Sequence, residues 1–119
     1  MAGSRHALNE WLGKRQMDPV LVPLERDVLS AVLQLCRAHP KVAWIRRMNT
    51  GTRGGVNFGF PGLSDLIGQL KDGRMLAIEV KRPGKMPTEA QVEFMGEVAR
   101  WHGVAFVARG IQDVLKALG

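Results

Sequence analysis

The chain has 119 residues and a mass of 13.1 kDa, enough for one compact domain and little more. Apolar residues make up 45% of it, which excludes wholesale disorder, and no apolar run approaches ~18 residues, which excludes a spanning helix. Its 17 Lys+Arg against 11 Asp+Glu give a formal charge of +6 and a pI near 10.3, which suits a polyanionic partner without demanding one. The single cysteine, Cys36, excludes an internal disulfide framework and every multi-cysteine zinc or iron–sulfur site. That fits a reducing cytoplasm, as does the lack of a basic lead into an apolar stretch at the N-terminus.

Residues 1–18 read as a flexible N-terminal arm. They are mixed and polar, with Arg5, Lys14 and Arg15, and Leu8, Trp11 and Leu12 can form a helical turn or two. The folded domain is expected over residues 19–119. Residues 23–38 predict a helix, with Pro23 suited to the first helical position. Leu24, Val28, Leu29, Val32, Leu35 and Cys36 share one half of its wheel, and Glu25 falls in the middle of that half. Val42 to Met48 predicts a strand. Residues 49–62, rich in glycine, predict a loop. Leu63 to Leu70 and Arg74 to Arg82 predict two further strands joined by Lys71-Asp72-Gly73, with Gly73 placed for a left-handed turn residue. Both faces of these strands look largely apolar, as in a sheet covered by helices. Thr88 to Trp101 predicts a helix opened by a Thr88/Gln91 capping box. A strand at Val104 to Ala108 and a helix at Ile111 to Leu118 follow. The order α-β-β-β-α-β-α implies an α/β domain on a small mixed sheet flanked by helices.

The chemistry concentrates in the hairpin. Glu79 and Lys81 are two apart on a strand, so both point to one face, ~6.6 Å apart along it. A three-residue loop at 71–73 pairs Leu70 with Arg74, Ile67 with Ala77 and Asp65 with Glu79, at ~5 Å. Asp65, Glu79 and Lys81 then converge; a two-residue loop would instead set Asp65 against Val80. Two carboxylates so close raise a pKa or recruit a cation, and a hard divalent ion such as magnesium or manganese suits oxygen ligands. Taken singly, Glu79 with Lys81 also reads as an exposed ion pair, and Asp65 as a turn acid. Gln91 lies in the middle of the apolar arc of its helix, among Phe94, Met95 and Val98. It also fits closing the capping box alone, as Glu25 also fits serving the helix dipole.

Phe60-Pro61-Gly62-Leu63-Ser64-Asp65-Leu66-Ile67, Leu76-Ala77-Ile78-Glu79-Val80-Lys81-Arg82-Pro83-Gly84 and Thr88-Glu89-Ala90-Gln91 together resemble the VRR-NUC branch of the PD-(D/E)xK nucleases. The similarity runs from about Pro23 to the end of the chain. Ser64 stands where that family usually has Pro before the Asp, a residue that shapes backbone rather than chemistry. The resemblance implies a restriction-endonuclease-like core. It implies that Asp65 and Glu79 hold Mg²⁺ or Mn²⁺ with the Val80 carbonyl, and that Glu25 reaches the ion directly or through water. Lys81 would orient the attacking water and neutralise charge on the phosphate, and Gln91 would support the site. Stand-alone members of the family resemble homodimeric nucleases for branched DNA such as four-way junctions, often from phages. The implied location is then the cytoplasm of a bacterium or a phage-infected cell.

Affinity for DNA would come from phosphate contacts. Candidates are Arg46, Arg47, Asn49, Thr50 and Arg53 before the hairpin, and Arg82 and Lys85 after it. No small-molecule cofactor and no membrane partner is expected. The competing readings are a non-catalytic nucleic-acid-binding or assembly module on the same fold, and a subunit of a larger repair or restriction complex.

Overall fold

The computed structural model of the protein describes residues 22–49, 51–53 and 56–119; the expected arm and Thr50 therefore lie outside the described residues. Helix α1 (Glu25–Ala38) leads to strand β1 (Val42–Arg47), then to the short strands β2 (Gly51–Arg53) and β3 (Val56–Phe58). Strands β4 (Leu66–Leu70) and β5 (Met75–Val80) follow, then helix α2 (Glu89–Arg100), strand β6 (Val104–Ala108) and helix α3 (Ile111–Leu118). One four-stranded sheet has the order β1-β4-β5-β6, with β5–β6 parallel and the other pairs antiparallel. The fold is mixed α/β, and through this sheet the element order is the one read from the sequence.

Helix α1 turns Val28, Leu29, Val32 and Cys36 inward, and all four are buried. It starts later than expected. Leu24 is its N-cap, and the Leu24 carbonyl already accepts from the N–H groups of Asp27 and Val28. Pro23 therefore precedes the cap rather than opening the helix. Side chains of α1 and α3 (Val114, Leu118) pack with Ile45, Leu66, Leu70, Leu76, Ile78 and Val80 into the main core.

Helix α2 packs on the opposite face of the sheet, where the odd-numbered side chains of β5 point. Its capping box is complete, with both reciprocal Thr88–Gln91 bonds made. This second face is only partly covered. Trp44 on β1 and Met75 on β5 remain exposed, 41% and 38% accessible. The expectation of two covered faces thus holds for one. A helix is ~10 Å wide, while four strands at ~4.8 Å spacing span more than that.

The expected loop at 49–62 contains a ribbon. Gly51 pairs with Phe58, Thr52 with Asn57 and Arg53 with Val56. β4 begins at Leu66 rather than Leu63, because Phe60-Pro61-Gly62-Leu63 closes a turn of its own. The Leu63 N–H donates to the Phe60 carbonyl at 3.1 Å, and Gly62 has φ +88°. Pro then Gly at the centre of such a turn is the type II pattern.

Candidate active site

The β4–β5 hairpin fixes the site. Leu66 lies opposite Ile78, Ile67 opposite Ala77 and Gln69 opposite Met75, which is the register set by a three-residue loop at 71–73. Gly73 takes φ +97°, and the Leu70 N–H donates to the Arg74 carbonyl at 2.8 Å. Bonded and non-bonded pairs alternate along an antiparallel ladder. Leu70–Arg74 is bonded, so Ser64–Val80 would be the next bonded pair beyond Leu66–Ile78. The chain leaves the ladder there. The Val80 N–H is instead taken by the Asp65 carboxylate, at 2.8 Å from Oδ2. Asp65 thus substitutes a side-chain oxygen for a backbone one, and its carboxyl is drawn onto the end of β5.

Glu79 lies beside it. Its side chain is 2% exposed, and Gln91 on α2 donates from Nε2 to Glu79 Oε1 at 2.9 Å. The other end of the same amide, Oε1, accepts the Thr88 N–H at 2.8 Å. Gln91 therefore caps its helix and reaches the site at once; the two readings of this residue are compatible. Lys81 Nζ stands 3.8 Å from Glu79 Oε1 and keeps 15% exposure. Glu79 Oε2 is buried with no hydrogen-bond partner.

Burial first, then a hydrogen bond and the nearby charge of Asp65, push the Glu79 carboxyl up to about 8, with Lys81 opposing and Glu25 adding the smallest upward push. A buried acid beside a second acid, with one oxygen that no donor serves, is a site that favours a proton or a cation.

Four of the expected residues thus meet: Asp65, Glu79, Lys81 and Gln91. Glu25, the first residue of α1, is exposed and acts on Glu79 only through its charge. Among the described residues, no three His, Cys, Asp or Glu side chains gather into a ligand cluster. Val80 is buried at the end of β5.

The expected DNA-contact residues are dispersed. Arg46 and Arg47 are exposed on β1, opposite Ile67 and Leu66 respectively. Strand alternation therefore puts Arg46 on the face of Glu79 and Arg47 on the other. The Arg46 guanidinium lies 6.0 Å from the Trp44 ring and donates to the Ile45 carbonyl. Asn49 and Lys85 are exposed and Arg82 is half-buried. Arg53 belongs to β2, where only the backbone is described.

The sequence reading passed over Arg109. It follows β6 directly, and the Lys81 N–H donates to the Ala108 carbonyl at 3.1 Å, so Arg109 leaves the sheet beside Lys81. Only the parallel β5–β6 register reveals this. Among the described residues, no helix is long and apolar enough to cross a membrane. Compared with known proteins, the chain matches no family model, no curated protein and no solved structure.

Proposed function

We propose that this chain is a divalent-metal-dependent DNA endonuclease of the VRR-NUC type, with a restriction-endonuclease-like core. The observation that carries the reading is the convergence of Asp65 and the buried Glu79, with an unpartnered carboxyl oxygen and a lysine 3.8 Å away. A purely structural ion pair does not need a second acid brought against the first.

The residues present fit Mg²⁺ or Mn²⁺. Such ions bind through one or two carboxylates and keep waters and substrate phosphate as their other ligands, so a third protein carboxylate is unnecessary. Asp65, Glu79 and the Val80 carbonyl would hold the ion, with Glu25 reaching it through water. The ion supplies Lewis acidity, polarising a phosphoryl oxygen and making water more acidic. Lys81 places a positive charge where the pentacoordinate phosphate gains negative charge, and orients the attacking water. Gln91 holds the Glu79 carboxyl at a fixed angle.

Arg46, Arg82 and Lys85 suit a phosphate backbone, and among the described residues the helices offer no base-reading element. The substrate is therefore DNA recognised by shape, branched forms such as four-way junctions being the first to test. A homodimer would supply two sites for two strands.

The test uses labelled four-way junction, flap and linear duplex with Mg²⁺ or Mn²⁺, and with EDTA. Cleavage of the branched forms that requires metal, and that Lys81→Ala and Glu79→Ala lower by at least ~100-fold, is the expected result. Cleavage that survives both substitutions would overturn the site. Binding without cleavage would favour the non-catalytic module, or a subunit awaiting a larger partner.

A further inference from the structure

We propose that Arg109 is a positioning residue. It fastens the loop that leaves Lys81, so that Arg82 and Lys85 are held out together toward a phosphate backbone. The proposal rests on the reading of the chain as a DNA-binding nuclease domain and adds to it a residue outside the motif.

The anchoring begins with the backbone. Arg109 N–H donates to Asp113 Oδ2 at 2.8 Å, and β6 ends against Lys81 through the Lys81–Ala108 bond. The root of the Arg109 side chain is thereby fixed at the carboxyl end of the parallel β5–β6 pair, the edge where ligands of such sheets approach. From there Nη2 donates to the Lys85 carbonyl at 2.9 Å and lies 3.6 Å from the Met86 sulfur.

The loop it grips is already half-ordered. The Lys85 N–H donates to the Arg82 carbonyl at 3.1 Å, and Gly84 has φ +86°, so Arg82-Pro83-Gly84-Lys85 is a type II turn. The first and last Cα atoms of such a turn are less than ~7 Å apart, which roots the two cationic side chains close together. The turn's own bond fixes its shape but not its direction. Pro83, Gly84, Lys85 and Met86 are exposed, and the Arg109 guanidinium hydrogen-bonds this turn to the end of β6. A guanidinium, with five donors in a rigid plane, can hold a carbonyl and still offer N–H groups outward; a lysine ammonium at the same place cannot reproduce that geometry.

The discriminating variant is Arg109→Lys, which keeps the charge and loses the fork; Arg109→Gln, which keeps one amide donor and loses the charge, is its companion should either fold poorly. In the free protein, trypsin should cut the Lys85–Met86 bond about tenfold faster in both variants, while cuts elsewhere keep their rates, apart from the bond after position 109 that the substitutions themselves alter. Affinity for four-way junction DNA, measured in EDTA at about 50 mM salt, should fall about fivefold in Arg109→Lys. In an Arg82→Ala/Lys85→Ala background, the same change should have no further effect, because the residues it positions are gone. Wild-type affinity in Arg109→Lys, or a loss undiminished in that background, overturns the proposal and leaves the nuclease reading intact. A wild-type chain that binds junctions but cleaves none fails the nuclease reading while leaving this binding test valid. A wild-type chain that binds no DNA overturns both.

Discussion

Glu79→Gln separates the electrostatic cost of the site from its packing. Glutamine keeps the shape and the acceptor for Gln91, and it cannot ionise. In the folded chain the Glu79 carboxyl is pushed up to about 8, from an ordinary value of 4.5, chiefly because it is buried. The sign follows from linkage. Below pH 4.5 the acid is protonated in both states and costs nothing. Between 4.5 and 8 the unfolded chain releases its proton while the folded chain retains it, so stability falls as pH rises; above 8 the loss is complete. At ~1.4 kcal/mol per unit, a separation of roughly 3.5 units caps the loss on the order of 5 kcal/mol. That is a large share of the ~5–15 kcal/mol that holds a small domain together.

The assay is urea unfolding in EDTA, from pH 4.5 to 9, of wild type and Glu79→Gln. The difference between them cancels the titrating groups remote from Glu79. It should be near zero at the acid end, grow in favour of the glutamine protein through pH 5 to 8, and level above that. Adding Mg²⁺ at pH 8 should restore the wild type, with release of about half a proton, since Glu79 is half protonated there, and leave the variant unchanged. A difference that stays constant with pH would refute the reasoning, since it would mean that Glu79 ionises as readily folded as unfolded.

Two smaller perturbations probe the frame around the site. Gly62→Ala and Gly84→Ala both place a side chain at positive φ, but a Cβ at 62 would stand 2.2 Å from the Ala90 carbonyl oxygen while one at 84 meets nothing within 4 Å. Thermal unfolding should show a loss of about 1 kcal/mol for Gly84→Ala and at least twice that for Gly62→Ala, where α2 must shift; equal losses would deny the close packing of this loop on α2. Ser64 is fully buried with its hydroxyl unpartnered, so Ser64→Ala should leave stability unchanged or raise it by about 1 kcal/mol. A loss above that size would reveal a partner for the hydroxyl.

Much of this was legible from local chemistry. Lys71-Asp72-Gly73 suits a three-residue turn, and the register of such a turn is observed from Gln69–Met75 to Leu66–Ile78, one step short of Asp65 and Glu79. Thr88 and Gln91 announce their helix start with the spacing of a capping box, and the box forms. The ribbon at 51–58 was hidden because glycine density reads as loop. The signal was there, however: Gly54-Gly55 separates Thr52-Arg53 from Val56, the pattern of a two-residue hairpin connection. Glu25 shows where the helical wheel stops informing. It shares the stripe of Val28, Leu29 and Val32, yet it is exposed, because the first turn of α1 meets less of the sheet than the turns behind it. Arg109 could not be found from spacing at all. Its contact joins residues 24 apart through a parallel pairing and one side-chain conformation.

The geometry also suggests why so short a chain can bring two acids together without losing its sheet. A carboxylate placed at random at the end of β4 would point into solvent and relax away from Glu79. Asp65 does not, because it accepts the Val80 N–H that the departing strand no longer serves, while its own carbonyl accepts the Met48 N–H at 2.7 Å. Its position is therefore tied to two strands at once. Glu79 is held from the other side by Gln91, whose amide is in turn fixed by the Thr88 cap. Once Glu79 gives up its proton, the repulsion between the acids works against backbone hydrogen bonds and a helix start rather than against free rotamers, so the site stays assembled. Pro-Gly turns bracket it: Phe60–Leu63 delivers Asp65, and Arg82–Lys85 carries the chain away from Lys81 toward α2. Both turns are stiff at their proline, so ordering them costs less than ordering a loop of the same length built from freer residues. That saving, about 0.4–1 kcal/mol for each proline, offsets part of the cost of the buried acid, and the sixteen buried apolar side chains among the described residues carry the rest.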